Sequence, residues 1–343
     1  MLRQMPEQAL LRFFLIKGCY MIKFIIRRTL QVFPTLFIVV TLTFILTRMV
    51  PGDPVTAMVG DQASPQMMEL IREEMGLNDS MFVQYIRYLK NIIQGDFGRS
   101  YFYNRPVGTI IAERIPNTLL LTLTSLIIAT IGGIAIGVTT ASRQSSTLDY
   151  ILTLLSLVGV SLPVFWVGLM LVLVFSVNLG WLPTFGMSGS VDGLGELLRH
   201  LALPCITLTL VPLASFVRVT RSSVIEALGS ESIRSIRARG LKEGTLLWRH
   251  TLKNALPPIV TVVGMQLAGA FSGAVLTENI FSWPGMGTMI ANAINNRDYA
   301  LIQGTVMVIA IAFVLVNLLT DLIYMLVNPK FAAETMLWGK ANG

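Results

Sequence analysis

Few of the side chains on which enzyme chemistry is built occur in this chain: its 343 residues include two cysteines and two histidines, and only 13% are charged. Cys19, near the N-terminus, and Cys205, inside an apolar run, offer neither a disulfide framework nor metal-ligand spacing. His200 and His250 stand alone, which suits satisfied polar side chains better than ligands. A nucleotide phosphate loop of the form Gly-x-x-x-x-Gly-Lys-[Ser/Thr] is absent; the one Gly-Lys pair, Gly339-Lys340, is followed by alanine. The polar segments hold no nucleophile–base pairing, so the chain is read as a non-enzyme that binds no cofactor or metal of its own. What it has instead is apolar surface. At 53% hydrophobic residues a soluble globular protein is excluded. The net charge of +7 does not mark a nucleic-acid binder, because the cations flank apolar runs, where topology and anionic lipid of the bilayer explain them.

Charge-free windows long enough to cross about 30 Å of hydrocarbon, which takes about 20 helical residues, run Thr29–Thr47, Ile115–Ser142, Tyr150–Val191, Leu201–Val217, Asn254–Thr277 and Tyr299–Thr320. The third is long enough for one span plus a re-entrant or interfacial piece, so six spans are expected. Lys17, Lys23, Arg27 and Arg28 before the first span place the N-terminus inside, and an even count returns Lys330 and Lys340 to the same side. Residues 1–20 form an extension, since Leu10–Ile16 is too short to span and Met21 followed by Lys-Phe-Ile-Ile-Arg-Arg makes a natural start for an inside-anchored helix.

Two polar stretches interrupt the apolar pattern. Residues 51–114, expected outside, open with Pro51-Gly52-Asp53-Pro54, an abrupt turn off the first span. Helical patterns follow over Pro65–Gly76 and Phe82–Gln94, then a second turn at Gly95-Asp96-Phe97-Gly98. The stretch Glu226–Pro257, expected inside, carries the cations Arg234, Arg237, Arg239, Lys242, Arg249 and Lys253 against Glu226, Glu231 and Glu243. Its helix–Gly–helix pattern suits a docking surface. Gly240 permits a sharp turn, Pro257 marks entry to the next span, and Arg234, Arg237 and Arg239 are placed to pair with acidic groups on a partner. Enforcing topology and binding lipid headgroups would also account for those arginines.

Taken together, Pro51-Gly52-Asp53-Pro54, Gly95-Asp96-Phe97-Gly98 and Phe281-Ser282-Trp283-Pro284-Gly285-Met286-Gly287 resemble the permease subunit of peptide-type ABC importers, the family of dipeptide, oligopeptide, glutathione and nickel uptake systems. Ile233-Arg234-Ser235-Ile236-Arg237-Ala238-Arg239-Gly240-Leu241, with His250 to Pro257 behind it, resembles that family's ATPase-docking motif. The likeness runs from about Met21 to Lys330. It departs at Ser232 and Ser235-Ile236, where tyrosine and Thr-Ala are common, at Asn328-Pro329-Lys330, and at Asn78-Asp79-Ser80, which lacks a usual proline.

The resemblance implies an all-α membrane protein of about six transmembrane helices, with a small external helical cap between spans 1 and 2 and a cytoplasmic coupling helix between spans 4 and 5. Its divisions are an extension at 1–20, the first transmembrane helix at 21–50, the cap at 51–114, a permease core at 115–330 containing the coupling loop 223–257, and a cytoplasmic tail at 331–343. It further implies a bacterial inner-membrane transport subunit that works by alternating access. The partners would be a second homologous permease, two ABC ATPase subunits that hold ATP and Mg, and an external solute-binding protein. Ile233, Arg234, Ile236, Arg237, Arg239, Gly240 and Leu241 would then couple to the ATPases. Glu278, Phe281, Trp283 and Pro284 would form an outer gate with Trp283 as a bulky plug, and Glu278 would either meet a substrate amino group or serve the helix end.

Inside the apolar runs, Pro163 with Phe165 and Trp166 is expected to break the third span, and Pro204 and Pro212 to kink the fourth; kinked spans line cavities, which makes Pro163, Phe165 and Trp166 candidate gate or pathway residues, although packing alone would also explain the kinks. Gly133 with Gly137, and Gly269 with Gly273, are spaced for close helix approach. Asn317 and Asp321 are the intramembrane polar pair of the last span, with Asp321 expected to bond Arg218 or Arg221 rather than relay protons. Two other classes compete. An ion-coupled secondary transporter would show midplane carboxylates or inverted repeats, and a receptor or scaffold would need neither kinked spans nor a gate turn. Within the importer class, nickel chelates, glutathione and opine-like solutes are alternatives to small peptides.

Overall fold

The computed structural model describes the backbone of residues 7–49, 55–56, 64–187 and 193–327, with side chains between 26 and 322 apart from 27, 268 and 270–273. The Pro51–Pro54 turn, Asn328-Pro329-Lys330 and the 331–343 tail lie outside the described residues.

The apolar windows become helices because a helix satisfies its own backbone groups where no water is available. Helix α1 spans Glu7–Met49. After it come α2, Pro65–Glu74, and α3, Met81–Ile93. The two-residue strands β1, Arg99–Ser100, and β2, Arg105–Pro106, then pair antiparallel and lead into α4, Val107–Ser142. Next are α5, Thr147–Ser161, and α6, Val164–Leu171, which widens into π-helical turns over Val172–Asn178. Helix α7 spans Gly193–Leu228, and the short α8 spans Glu231–Ala238. One turn of α9, Glu243–Thr245, and a π-helical stretch, Leu246–Thr251, run on into α10, Leu252–Ile280. The described chain closes with α11, Met286–Asn295, and α12, Tyr299–Val327. It is an all-α membrane protein.

Four described helices are long and apolar enough to cross a membrane: Arg28–Met49 within α1, α4, α7 and Tyr299–Leu322 within α12. Thr147–Ser161 and Val164–Asn178 qualify together as a fifth, bent by 103°. The break falls at Pro163, whose missing N–H and fixed φ end α5 and start α6. Pro204 and Pro212 lie inside α7, and Pro257 and Pro258 inside α10. Pro257, expected to mark entry to the next span, therefore lies inside α10 and does not start the helix. The helix begins upstream, and its π-helical stretch is closed by the Thr251 hydroxyl donating to the Leu246 carbonyl at 3.0 Å.

The core is built on α4 packed along α7, with α10 against both, α12 on α10, and α1 outermost on α12. Glycine brings α4 onto α7. A Cβ at Gly133 would collide with Phe216, and one at Gly137 would stand 2.6 Å from the Cβ of Thr220 and 2.9 Å from the carbonyl oxygen of Val217. At the second expected pair only Gly269 can be placed. Nothing lies within 4 Å of a Cβ built on Gly269, and the surroundings of Gly273 are outside the described residues.

One end of the bundle carries α2, α3 and the hairpin. Ser64 and Ser80 cap α2 and α3 by accepting from the N–H groups of Met67 and Val83 at 3.3 and 3.4 Å. Phe44 of α1 meets the rings of Tyr85 and Tyr88 at 5.3 and 5.6 Å, which docks α3 on the first span. Asp298, fully buried, accepts from the Ser100 hydroxyl and from the Leu301 N–H at 3.1 Å, so it ties the hairpin to the start of α12. Burial and that carboxylate push the nearby Tyr101 phenol up, opposed in part by Arg48.

Candidate functional site

Two surfaces at opposite ends of α4 carry the residues singled out from the sequence. At the end formed by Val138, Ala141, Val224, Ala227, Ala255 and Ile259 lies the cationic loop. Glu231–Ala238 folds as α8 because Ser230 leaves the helix in extended geometry, Glu231 sits in the first turn and Arg237 in the last, each matched to the helix dipole. Gly240 then adopts φ +79°, with its N–H donating to the Arg237 carbonyl at 3.0 Å. A residue in the left-handed region just past a helix end is the position glycine fills best. Ile233 is 1% exposed, and α8 rests on the end of α7 and on the π-helical stretch that opens α10. Ile236 and Leu241 are half-buried. Arg234, Arg237, Ala238 and Arg239 face out. Arg237 pairs with Glu243, Nε to Oε1 at 2.9 Å, whereas Arg234 and Arg239 have no ion pair among the described residues. The helix is therefore fastened by its apolar side and offers two free cations on the other.

At the opposite end the segment Glu278–Gly287 is clasped to α4. Glu278 is fully buried. Its Oε1 accepts from the Thr118 hydroxyl at 2.7 Å and its Oε2 from the Gly287 N–H at 2.6 Å. The Thr118 oxygen in turn accepts from the Met286 N–H at 2.8 Å. Asn117 works in both directions: its side-chain amide donates to the Pro284 carbonyl at 2.9 Å, and its own carbonyl receives the Trp283 indole N–H at 2.9 Å. Trp283 is 0% exposed and packs with Leu121, Leu201 and Cys205, so its ring fills the interior of this chain. Ser282 holds φ +48° to make the turn. A Cβ on Gly285 would run into the Glu278 carboxylate, which is why the turn needs glycine there.

Phe281, 2% exposed, joins this clasp to the broken span. Its ring lies 3.4 Å from where a Cβ on Gly168 of α6 would stand, and its carbonyl accepts from the Gly186 N–H at 2.8 Å. Pro163 thus aims α6 at the turn, while Phe165 and Trp166 remain about half exposed on the outside of the bend. Beside the turn lies an open cavity of about 400 Å³, bounded by Arg114 of α4, Tyr103, Ser282 and α11.

The expected partner of Asp321 is corrected. Asp321 pairs with Arg28 at 3.1 Å, because α12 packs on α1. Arg221 is committed elsewhere: its Nε and Nη2 each lie 2.7 Å from the two oxygens of buried Asp149 at the start of α5. Asn317 bonds the Phe313 carbonyl of its own helix at 3.0 Å and does not join Asp321.

Asp149, Asn117 and Thr118 were not singled out from the sequence. Asp149 stood just outside an apolar window, and the Asn117-Thr118 step at the head of α4 was absorbed into one. A polar pair inside an otherwise apolar run was the available signal.

With this geometry in place, comparison with known proteins is informative. Residues 133–333 match the family described as binding-protein-dependent transport system inner membrane component, and residues 21–122 match its N-terminal membrane component. The dipeptide transport system permease protein DppB of Alkalihalophilus pseudofirmus is 40% identical over 330 residues, covering 90% of this chain and 99% of that protein. The oligopeptide transport system permease protein AppB of Bacillus subtilis is 40% identical over 313 residues, with the same coverage. The glutathione transport system permease protein GsiC of Escherichia coli K12 is 37% identical over 309 residues, covering 90% and 98%. Among solved structures, an inward-facing MetNI methionine ABC transporter superposes with a TM-score of 0.51 at 15% identity, over 64% of this chain and 96% of that one. That likeness concerns the fold alone.

Proposed function

The chain belongs to the binding-protein-dependent transport inner-membrane components, as a peptide-type ABC permease, and on that premise we propose that it is the half-channel of an ATP-driven importer that moves small peptides across a bacterial cytoplasmic membrane by alternating access. The observation that carries this reading is α8. An importer of this kind needs a membrane subunit that turns the closure of separate ATPases into helix movement. A short helix pinned by Ile233 at the foot of α7 and α10, with Arg234 and Arg239 exposed and without an ion pair among the described residues, is suited to that task. ATP and Mg belong on the partner subunits. Both termini and α8 lie inside in this reading, and α2, α3 and the clasp lie outside, where a loaded solute-binding protein docks.

In the cycle proposed, ATP binding draws the ATPases together around α8, the two permeases rock to receive ligand at the outer end, and hydrolysis relaxes the pair towards the inside. The names of the relatives, which concern dipeptides, oligopeptides and glutathione, support a peptide as substrate. The pairing of Asp321 with Arg28 favours a structural role for that carboxylate over an ion-coupling one.

The test is purification of the tagged chain from native membranes in mild detergent. A second permease and two ATPases should copurify. Replacing Arg234 and Arg239 together by Glu should release the ATPases and leave the permease pair intact, because neither arginine has an ion-pair partner among the described residues. Arg237 is a poorer probe, as its reversal would also set two carboxylates against each other at Glu243. A lone chain that moves solute in liposomes without ATP would overturn the reading.

A further inference from the structure

The cavity beside the clasp has a donor set with a definite chemical preference. Arg114 is the one charged residue lining it. Its only hydrogen bond among the described residues is a long one, Nη1 to the Pro284 carbonyl at 3.4 Å, which leaves most of the guanidinium fork unused. The adjacent carboxylate, Glu113, is hydrogen-bonded by both terminal nitrogens of Arg105 and meets Arg114 only through space. Of the other polar side chains lining it, Asn279 and Thr288 already donate to backbone carbonyls, which leaves the three of Tyr103, Ser282 and Asn292. None of the three side chains donates to a partner among the described residues, and all line the same cavity. Guanidinium, two hydroxyls and an amide, with no lining carboxylate, make a site for an anion of planar, bidentate form. The volume of about 400 Å³ falls within the range for small-ligand sites.

We propose that this cavity is a carboxylate subsite, in which Arg114 receives the C-terminal carboxylate of a peptide entering from the clasp end. The proposal rests on the peptide-importer reading above and extends it to a recognition rule. A free C-terminal carboxylate is present on every unmodified peptide whatever its side chains, so one arginine at the mouth would accept the class without reading sequence. The position supports this: Ser282 belongs to the turn itself, and Arg114 stands one helical turn before Thr118, which holds Glu278.

The experiment uses the assembled transporter in proteoliposomes with ATP and its external binding protein. It compares radiolabelled trialanine with trialanine amide, both at concentrations that saturate the binding protein. The binding protein's own preference is then common to all permease variants, and only a change in the acid-to-amide uptake ratio reports on the permease. Arg114→Gln should lower uptake of the free acid roughly tenfold, the scale of losing a hydrogen-bonded charge partner, and leave the amide nearly unchanged. Arg114→Lys should recover part of the ratio, and Ser282→Ala should lower it by a smaller factor. Acid and amide falling together would make Arg114 a structural residue or a docking contact for the binding protein, and either result overturns the proposal. An unchanged ratio in Arg114→Gln overturns it as well. A wild-type complex that assembles but moves neither peptide form would instead remove the peptide reading, and the subsite with it.

Discussion

Thr118 shows how much one hydroxyl can carry in a dry environment. It donates to Glu278 and accepts from the Met286 N–H, so both ends of the clasped segment close on a single oxygen of α4. Thr118→Val is nearly isosteric yet leaves a buried carboxylate oxygen and a buried N–H without partners, at roughly 1–3 kcal/mol for each unsatisfied group. The expected outcome is a clearly lower thermal midpoint for the detergent-solubilised complex, with Thr118→Ser close to wild type. Equal midpoints for Val and Ser would show that the hydroxyl is not what holds the turn. Glu278 itself could be suspected from the sequence, because an ionisable group at the end of an apolar run must find partners. Its actual partner could not, since Thr118 is 160 positions away and nothing local points to it. Asp321 teaches the same lesson from the other side. The need for a cation was readable, but the choice of Arg28 over Arg221 depends on which helices are neighbours.

At the scale of elements, α5 and α7 are joined by a two-point ion pair. Asp149 is 2% exposed, receives two nitrogens of Arg221, and also accepts the Ser145 N–H at 3.1 Å. Removing one partner of a buried pair typically costs about 3–5 kcal/mol. The Arg221 side chain retains 29% of its exposure, which places this pair towards the low side of that range. Asp149→Asn and Arg221→Gln should each destabilise the complex markedly, and the double variant should cost less than the sum of the two, as thermal midpoints across the double-mutant cycle would reveal. Additive losses would mean that the two side chains act separately.

Legibility at this scale followed local chemistry. The two cap helices were readable from patterns at Pro65 and Phe82 because their serine caps and flanking glycines are local signals. The break at Pro163 was readable as a break, but not the 103° that puts α6 against Phe281, since that angle is set by packing against α7 and α10. Nothing around Pro257 showed that the helix starts before it, because the π-helical stretch upstream that carries the helix through leaves no local mark.

For the whole molecule, the loop end and the clasp end are far apart: roughly 35 Å of α4 axis separates Thr118 from Ala141 at about 1.5 Å per residue. Movement at α8 would reach the clasp along the helices between them, of which α4 and α7 pack along each other and interlock at Gly133 and Gly137. In the cycle proposed above, coupling would depend on α8 being held at a fixed angle to α7 and α10, with Gly240 setting that angle on one side. Its φ of +79° excludes most side chains, while nothing lies within 4 Å of a built Cβ, so a substitution acts through the backbone and not by collision. That distinction yields an ordering. Asparagine tolerates the left-handed region, alanine enters it at a cost of about 1–2 kcal/mol, and a β-branched residue fares worst. Transport per ATP hydrolysed in the reconstituted complex should decline from glycine through asparagine and alanine to valine, with the ATPases still bound. Equal loss with asparagine and valine would point to a need for an unobstructed surface at residue 240. Unchanged transport in all three variants would remove α8 as the element through which the ATPases drive the bundle.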